Sequence, residues 1–132
     1  MRPLIEKHDP AALFLYAHFS ISPLETEVKF DERRIGILRF LNDLGYAPGI
    51  YELGICYEIG DLVERDRILS SALYKKAAEL GYSKTKLSYG LDLYHGSNGI
   101  KKNEALGLEF IKQAVDGNVE GAETQWNELK GT

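Results

Sequence analysis

The sequence has few of the residues that cross-link or interrupt a backbone. It contains a single cysteine, Cys56, so no disulfide can form within the chain, and a reducing compartment is the expected environment. Only four of its 132 residues are proline. Because proline breaks helices, this scarcity favours a helical fold.

Positive charge is also scarce. Sixteen lysines and arginines stand against 20 aspartates and glutamates, which gives a formal net charge of −4. A protein that binds a phosphate backbone needs a basic surface, so this composition argues against general binding of nucleic acid. It is neutral to mildly favourable for a basic protein partner.

Long apolar runs are missing as well. Glu6, Lys7, His8 and Asp9 occupy the region where a secretory signal would be apolar. No apolar stretch approaches the roughly 20 residues that are needed to cross a bilayer. The sequence therefore predicts no membrane insertion and a cytoplasmic location.

Catalytic and metal-binding patterns are not found. The three histidines, His8, His18 and His95, are scattered, and none has the spacing of metal ligands. Cys56 has no histidine or aspartate at motif distance, so we predict a buried, inert thiol. We interpret the carboxylate of Glu25 as a solvated loop charge. The sequence predicts no catalytic residue, no cofactor and no metal.

Glycine, by contrast, is plentiful and regularly placed. Gly45, Gly81 and Gly117 are each 36 residues apart, and two other glycines recur at the same interval. These are Gly54 with Gly90, and Gly60 with Gly96. A period in the thirties that contains two amphipathic patterns is typical of a helical solenoid.

We therefore predict an all-α fold, a right-handed α-solenoid of antiparallel helix hairpins in one domain over residues 1–132. The repeats cover about 10–45, 46–81 and 82–117, and a capping helix lies within 118–132, which makes seven helices. Asp31, Asp66 and Asn103 precede the stop glycines by 14 or 15 residues and are predicted to cap the second helix of each hairpin. The glycines at 45, 81 and 117 are predicted to end those helices.

The residues of the second and third units resemble a known repeat. The matching positions are Leu53-Gly54, Tyr57, Gly60, Val63, Asp66, Lys76-Ala77-Ala78 and Gly81, then Tyr89-Gly90, Gly96, Gly99-Ile100, Asn103, Ala114 and Gly117. This combination resembles the Sel-one-like repeat, a relative of the tetratricopeptide repeat with a slightly longer unit. The first unit has Tyr16 where the pattern has glycine. We interpret Gly36 on the next helix as a compensating space, and a misalignment of this unit is the open alternative.

The resemblance also suggests where a partner would bind. In tetratricopeptide-type hairpins the first helix of each pair lines a groove, and aromatic and polar side chains on such a surface suit protein binding. The predicted partner-binding residues are Tyr51, Ile55, Glu58, Leu87, Leu91, Tyr94 and His95. For Leu87 and Leu91, packing between repeats is the open alternative.

The family resemblance implies a non-enzymatic adaptor or scaffold that binds another protein through its concave face, as a monomer or weak dimer. A narrower hypothesis is an immunity protein that neutralises a bacterial toxin, because small, acidic repeat proteins are encoded beside such toxins. An adaptor in signalling or envelope processes is the alternative. A hydrolytic enzyme is a third, which would need acidic or histidine groups converging in the groove, where the sequence offers only Glu58 and His95.

Overall fold

The computed structural model describes residues 9–19 and 25–131, and this part of the chain consists of α-helices without any strand. The helices are α1 (Pro10–Tyr16), α2 (Glu27–Leu44), α3 (Ala47–Ile59), α4 (Arg67–Glu79), α5 (Ser83–His95), α6 (Glu104–Asp116) and α7 (Ala122–Lys130).

Each helix packs against the helix before it and the helix after it. The pairs α3–α4 and α5–α6 have the most extensive contacts, so they are the hairpins of the second and third repeats. This serial packing confirms the predicted all-α repeat solenoid, with seven helices in the described residues. The handedness of the stack stays a prediction.

The core runs through the stack as two clusters of buried side chains. The larger cluster joins α1 to α4 and includes Leu38, Leu41, Ile50 and Leu53, all of which are at most 3% exposed. The smaller one, around Tyr89, lies between the second and third repeats. A single hairpin has an apolar stripe with nothing to cover it, and stacking supplies the cover.

Two of the three predicted helix caps are confirmed. The side chains of Asp66 and Asn103 accept hydrogen bonds from backbone amides in the first turn of α4 and α6. The prediction for Asp31 was wrong, because α2 begins one turn earlier, where Thr26 accepts a hydrogen bond from the amide of Lys29. Asp31 therefore lies inside a long helix. Either residue type can cap a helix, and the sequence alone does not choose between them.

The stop glycines show a small break in the period. Gly45 and Gly81 have the left-handed backbone expected of a helix stop, with φ of 78° and 94°. Gly117 has an ordinary φ of −87°, and Asn118 takes the left-handed conformation instead. The third repeat is thus one residue longer, because the turn between α5 and α6 holds an extra residue. Position 117 favours glycine for another reason, because a Cβ there would lie only 2.9 Å from the Ser83 hydroxyl oxygen.

The first hairpin is held by Arg33 in a way that overturns two interpretations. The Arg33 guanidinium contacts both carboxylate oxygens of Glu25, at 2.9 and 3.2 Å, so Glu25 is a paired group and not a solvated loop charge. The Tyr16 ring lies beside the same guanidinium, 5.7 Å from its carbon. A Cβ at Gly36 would meet no atom within 4 Å, so Gly36 does not make room for Tyr16.

The glycines at the hairpin contacts provide a test of the packing. A Cβ at Gly90 would lie 2.9 Å from the carbonyl oxygen of Gly107, and a Cβ at Gly54 would lie 2.6 Å from the Tyr74 ring. We expect Gly54→Leu and Gly90→Leu to lower the free energy of unfolding by about 1–3 kcal/mol. Gly90→Leu should cost more, because its obstacle includes backbone. Urea unfolding followed by circular dichroism measures both.

Gly36→Ala is the matched control, because Gly36 lies in a helix with open space around it. It should stabilise the chain by about 0.5–1 kcal/mol, the difference in helix propensity between the two residues. If all three variants unfold like the parent, the hairpin contacts described for α3–α4 and α5–α6 are wrong.

Candidate functional site

Two cavities adjoin on the surface formed by α3, α4 and α5. The first, which we call the polar cavity, has a volume of about 230 Å³ and is lined by Glu58, Arg67, Ser70, Ser71, Tyr74, Ser88, Leu91, Asp92 and Asn98. The second, which we call the aromatic cleft, has a volume of about 840 Å³ and is lined by Tyr51, Tyr82, Lys84, Leu87, Ser88 and residues 117–120. Ser88 belongs to both, so the two cavities adjoin, and we call them together the groove.

The wall of the polar cavity nearest α3 is built on Tyr74. Its ring is 6% exposed, and its hydroxyl donates a hydrogen bond of 2.5 Å to the Glu58 carboxylate. Burial raises the pKa of Tyr74 strongly, and the Glu58 carboxylate raises this pKa further. Tyr74 is therefore a neutral donor that fixes Glu58 at the rim of the cavity.

Asp92 is the organising group on the opposite wall. Its carboxylate accepts hydrogen bonds from the side chains of Ser71 on α4 and of Ser97 (2.8 Å) and Asn98 (3.0 Å) on the turn after α5. Its backbone carbonyl also accepts from the amides of Gly96 and Ser97. Asp92 thus joins two helices and a turn, and its carboxylate has a fixed position before any partner arrives.

The aromatic cleft is organised around Tyr51. Its ring centroid lies 5.5 Å from that of Tyr82 and 6.0 Å from that of Tyr74, so the ring connects the cleft to the polar cavity. The Lys84 ammonium lies 5.9 Å from the centre of the Tyr51 ring, a cation–π distance. Burial raises the pKa of Tyr82. The cleft therefore presents aromatic faces with a positive charge at one side.

Four of the seven predicted partner-binding residues line this groove. Glu58 and Leu91 line the polar cavity, while Tyr51 and Leu87 line the aromatic cleft. Whether these residues contact a partner stays a prediction.

The other three predicted residues line neither cavity. Ile55 is half-buried in α3. The rings of Tyr94 and His95 contact each other at the end of α5, 5.1 Å apart. The backbone of Tyr94 faces α6, because a Cβ at Gly107 would lie 2.7 Å from its nitrogen. A role for these three in binding also stays a prediction.

The sequence reasoning missed Asp92, Ser71, Tyr82 and Lys84. Ser97 and Asn98, the partners of Asp92 on the turn, directly follow the helix-stop residue Gly96. Polar residues at these positions can bond back to the last turn of the helix, so the sequence did contain a signal for Asp92. No local signal identifies Ser71, because its contact with Asp92 joins positions 21 residues apart.

A second polar cluster links the first two repeats beside the groove. The Glu52 carboxylate accepts from Arg34 at 2.9 Å and lies 3.4 Å from the imidazole of His18, and Arg34 also contacts Asp61 at 3.4 Å. Burial alone would lower the pKa of Arg34, but the hydrogen bond and the neighbouring negative charges raise this pKa overall. The cluster therefore holds a charged arginine between α2 and α3.

Neither the single thiol nor a metal-binding cluster provides a reactive group in the described residues. Cys56 is 1% exposed, and burial raises the pKa of its thiol, which confirms the predicted buried thiol. No group of three or more histidine, cysteine, aspartate or glutamate side chains in residues 9–19 and 25–131 could hold a metal. Over the same residues, no helix is both long enough and apolar enough to span a bilayer.

The comparison with family models agrees with the hairpin pattern. Residues 47–82 and 86–119 match the Sel1 repeat, which accounts for more than half of the chain. The protein belongs to the Sel1 repeat family. Sel1 repeat proteins generally mediate protein–protein interactions, and their fold is generally a non-enzymatic scaffold. The two matched segments coincide with the second and third hairpins, which carry the groove.

Solved Sel1 repeat structures share the fold at low identity. A Sel1 repeat protein from Oxalobacter formigenes superposes with a TM-score of 0.83 at 24% identity, covering 96% of this chain and 94% of that one. The protective antigen c5321 of uropathogenic Escherichia coli, described as an SLR fold, gives 0.78 at 23% identity, covering 96% of this chain and 27% of that one. Helicobacter pylori cysteine-rich protein B gives 0.64 at 24% identity, covering 92% and 90%.

A curated relative is chitin synthase regulatory factor 3 of Schizosaccharomyces pombe (strain 972 / ATCC 24843), which is 29% identical over 118 residues. The match covers 80% of this chain but only 11% of that protein. The similarity therefore concerns a repeat segment of a much longer protein.

Tyr74 predicts a dependence of stability on pH. Its pKa in the folded chain is raised above the ordinary value of about 10, so the unfolded chain loses this proton at a lower pH than the folded chain does. The stabilisation is complete below about pH 10 and is lost as the pH rises above it. Between about pH 9 and pH 11, the free energy of unfolding should fall by about 1 kcal/mol more in the parent than in Tyr74→Phe.

Urea titrations of both proteins at the two pH values measure this difference. Equal losses in the parent and in Tyr74→Phe would show that the Tyr74 hydroxyl is not held neutral by its surroundings.

Proposed function

We propose that this protein binds a segment of another protein along the groove formed by the polar cavity and the aromatic cleft. The observation that carries the proposal is that an aromatic surface and a polar one adjoin at Ser88, with the side chains of both already fixed by contacts within the protein. Tyrosines on a concave, preorganised surface are the side chains that most often dominate binding energy.

The charges of the groove favour a partner segment with basic residues. Glu58 and Asp92 line the polar cavity together with the cation Arg67, and Glu120 and Lys84 line the aromatic cleft, so three carboxylates face two cations. The chain as a whole has a net charge of −4, which would steer a positively charged partner toward it. The Tyr51 and Tyr82 rings would then take an apolar or aromatic side chain of the same segment.

A narrower form of the proposal is an immunity protein that acts in the bacterial cytoplasm and neutralises a toxin by occupying its surface. The acidic, repeat-built chain supports it by analogy with proteins encoded beside toxins. The alternative, an adaptor that regulates a signalling or envelope process, is supported by the relative whose name describes a regulatory factor of chitin synthase. A toxin gene adjacent to this one would favour the first, and a signalling or envelope gene would favour the second.

The groove is tested with a partner captured from the native cell and identified by mass spectrometry. Its affinity is then measured for the groove variants Tyr51→Ala, Glu58→Lys and Asp92→Asn, alongside the melting temperature of each. Tyr94→Ala and His95→Ala are measured separately, because these two predicted residues lie outside the groove. Tyr51→Ala should weaken binding by about 2 kcal/mol, the usual size of a hot-spot effect. Glu58→Lys should mainly slow association and alter its salt dependence if the partner is basic.

Lys112→Ala on α6 is the control, because Lys112 is exposed and pairs only with Asp116 one turn away in the described residues. It should change the affinity little. If the groove variants bind as the parent does while retaining its melting temperature, the partner uses another face and this proposal fails.

A further inference from the structure

A pair of pockets recurs along the edge of the stack where the hairpins turn. The first, of about 520 Å³, lies before α4 and is lined by residues that include Arg39, Tyr57, Leu62, Val63, Glu64 and Arg65. The second, of about 380 Å³, lies before α6 and is lined by residues that include Lys75, Leu93, Gly99, Ile100, Lys101 and Lys102. We call them the turn-edge pockets, and they share no lining residue with the groove.

The two pockets are the same place in successive repeats. Arg39 on α2 corresponds to Lys75 on α4, 36 residues later. After the extra turn residue the interval becomes 37, so Arg65 corresponds to Lys102. Both pairs conserve a positive charge between the repeats, and both pockets have an apolar wall.

The turn itself fixes the position of the second cation in each pocket. A Cβ at the helix-stop residue Gly60 would lie 3.3 Å from the Cβ of Arg65, and a Cβ at Gly96 would lie 2.8 Å from the Cβ of Lys102. These glycines therefore allow the cationic residue to pack directly on the end of the preceding helix. The backbone of the next residue is held too. The amide of Asn103 donates a hydrogen bond to the Leu93 carbonyl at 2.7 Å, and in the first pocket the amide of Asp66 donates to the Tyr57 carbonyl at 2.8 Å.

The second turn-edge pocket is positive on a protein that is negative overall. Lys75, Lys101 and Lys102 line it without any carboxylate, whereas in the first pocket Arg39 and Arg65 are balanced by Glu64 and Asp66. The chain as a whole has a net charge of −4. In the described residues, Arg39, Lys75 and Lys101 have no ion-pair partner. Lys102 has one, Glu104 at 3.4 Å, and both of these side chains are more than half exposed.

We propose that the turn edge binds an acidic segment of a partner protein. Its carboxylates would lie against the cationic rims, and its apolar side chains would enter the pockets against Tyr57 and Val63 in the first and Leu93 and Ile100 in the second. The three lysines of the second pocket select an acidic partner. The recurrence of the cation positions and of the apolar wall in the first pocket selects an extended segment that reaches both. This surface is distinct from the groove, so one chain could hold a basic segment on one face and an acidic segment on the other.

The test uses a fluorescein-labelled peptide made of four Glu-Glu-Leu units, with anisotropy measured on the intact protein. Two double variants remove the paired cations, Arg39→Gln with Arg65→Gln for the first pocket and Lys75→Gln with Lys102→Gln for the second. Exposed charge pairs contribute modestly, so we expect roughly a threefold loss of affinity for each cation removed, and about ninefold for each double variant. A variant that carries all four substitutions should lose affinity by about the product of the two fold-losses.

A double variant with Lys112→Gln and Lys130→Gln is the matched control, because it removes two positive charges that line neither pocket. It should lose less than about twofold in affinity, and all variants should retain the melting temperature of the parent. Peptides with Gln for Glu, and with Ser for Leu, should each bind more weakly than the probe. Raising the salt from about 0.1 M to about 1 M should weaken binding further, because it shortens the screening length from about 10 Å to about 3 Å.

Three results would overturn the proposal. The first is the absence of saturable binding of the probe up to about 1 mM. The second is an equal loss in the control and in the pocket variants, which would mean attraction to the net charge alone. The third concerns a single-stranded RNA of similar charge. If it binds as tightly as the probe, and if the same variants weaken its binding, the edge is a general polyanion surface.

Discussion

The fold depends on how closely two helices of a hairpin can approach. In the third repeat this approach is made by two glycines that face each other, since a Cβ at Gly90 would meet the carbonyl of Gly107, and a Cβ at Gly107 would lie 2.7 Å from the carbonyl of Gly90. Backbone therefore lies on backbone at this contact, and backbone cannot move aside as a flexible side chain can. The rest of the repeat is arranged around this contact, because it fixes which side of α5 faces α6.

The same contact determines what the groove can present. Residues one turn apart share a side of a helix, so Gly90 and Tyr94 both lie toward α6. Ser88, Leu91 and Asp92 are then directed away from that contact and toward α4, where they line the polar cavity. The groove is thus largely a consequence of the hairpin packing, and the turn residues Ser97 and Asn98 add the hydrogen bonds that hold Asp92. The side chains that line the groove are those that the contact between α5 and α6 does not use.

The sequence predicted those features that depend on neighbours along the chain. Asp66 and Asn103 cap helices because each side chain bonds to an amide only three residues away. Gly45 and Gly81 stop helices for an equally local reason. These signals, repeated at a constant interval, were enough for the order and number of the helices.

Features that depend on distant residues could not be predicted in this way. Glu25 lies in a sequence that looks like a solvated loop, and only the approach of α2 brings Arg33 to it. Asp92 looks like one more surface carboxylate in α5, and its role appears only when α4 is packed beside it. We predicted Asp31 as the cap of α2, but threonine can cap a helix too, and the sequence before α2 lacks the repeat period that would have pointed to Thr26. The errors are therefore concentrated in the first repeat, where the period is weakest.

The single extra residue in the turn between α5 and α6 shows that the positions fixed by packing need not follow the sequence period. The glycine period of 36 residues continues to Gly117, but the left-handed stop moves to Asn118, because the turn before α6 is one residue longer. Glycine is still needed at position 117, where the helix end meets Ser83 of the preceding helix. The longer turn also carries Lys101 and Lys102 in place of Glu64 and Arg65. An insertion in a turn can alter the charge of an exposed edge while the helix contacts on either side keep their geometry. The turns are therefore the part of this repeat in which the choice of partner can change at the least cost to stability.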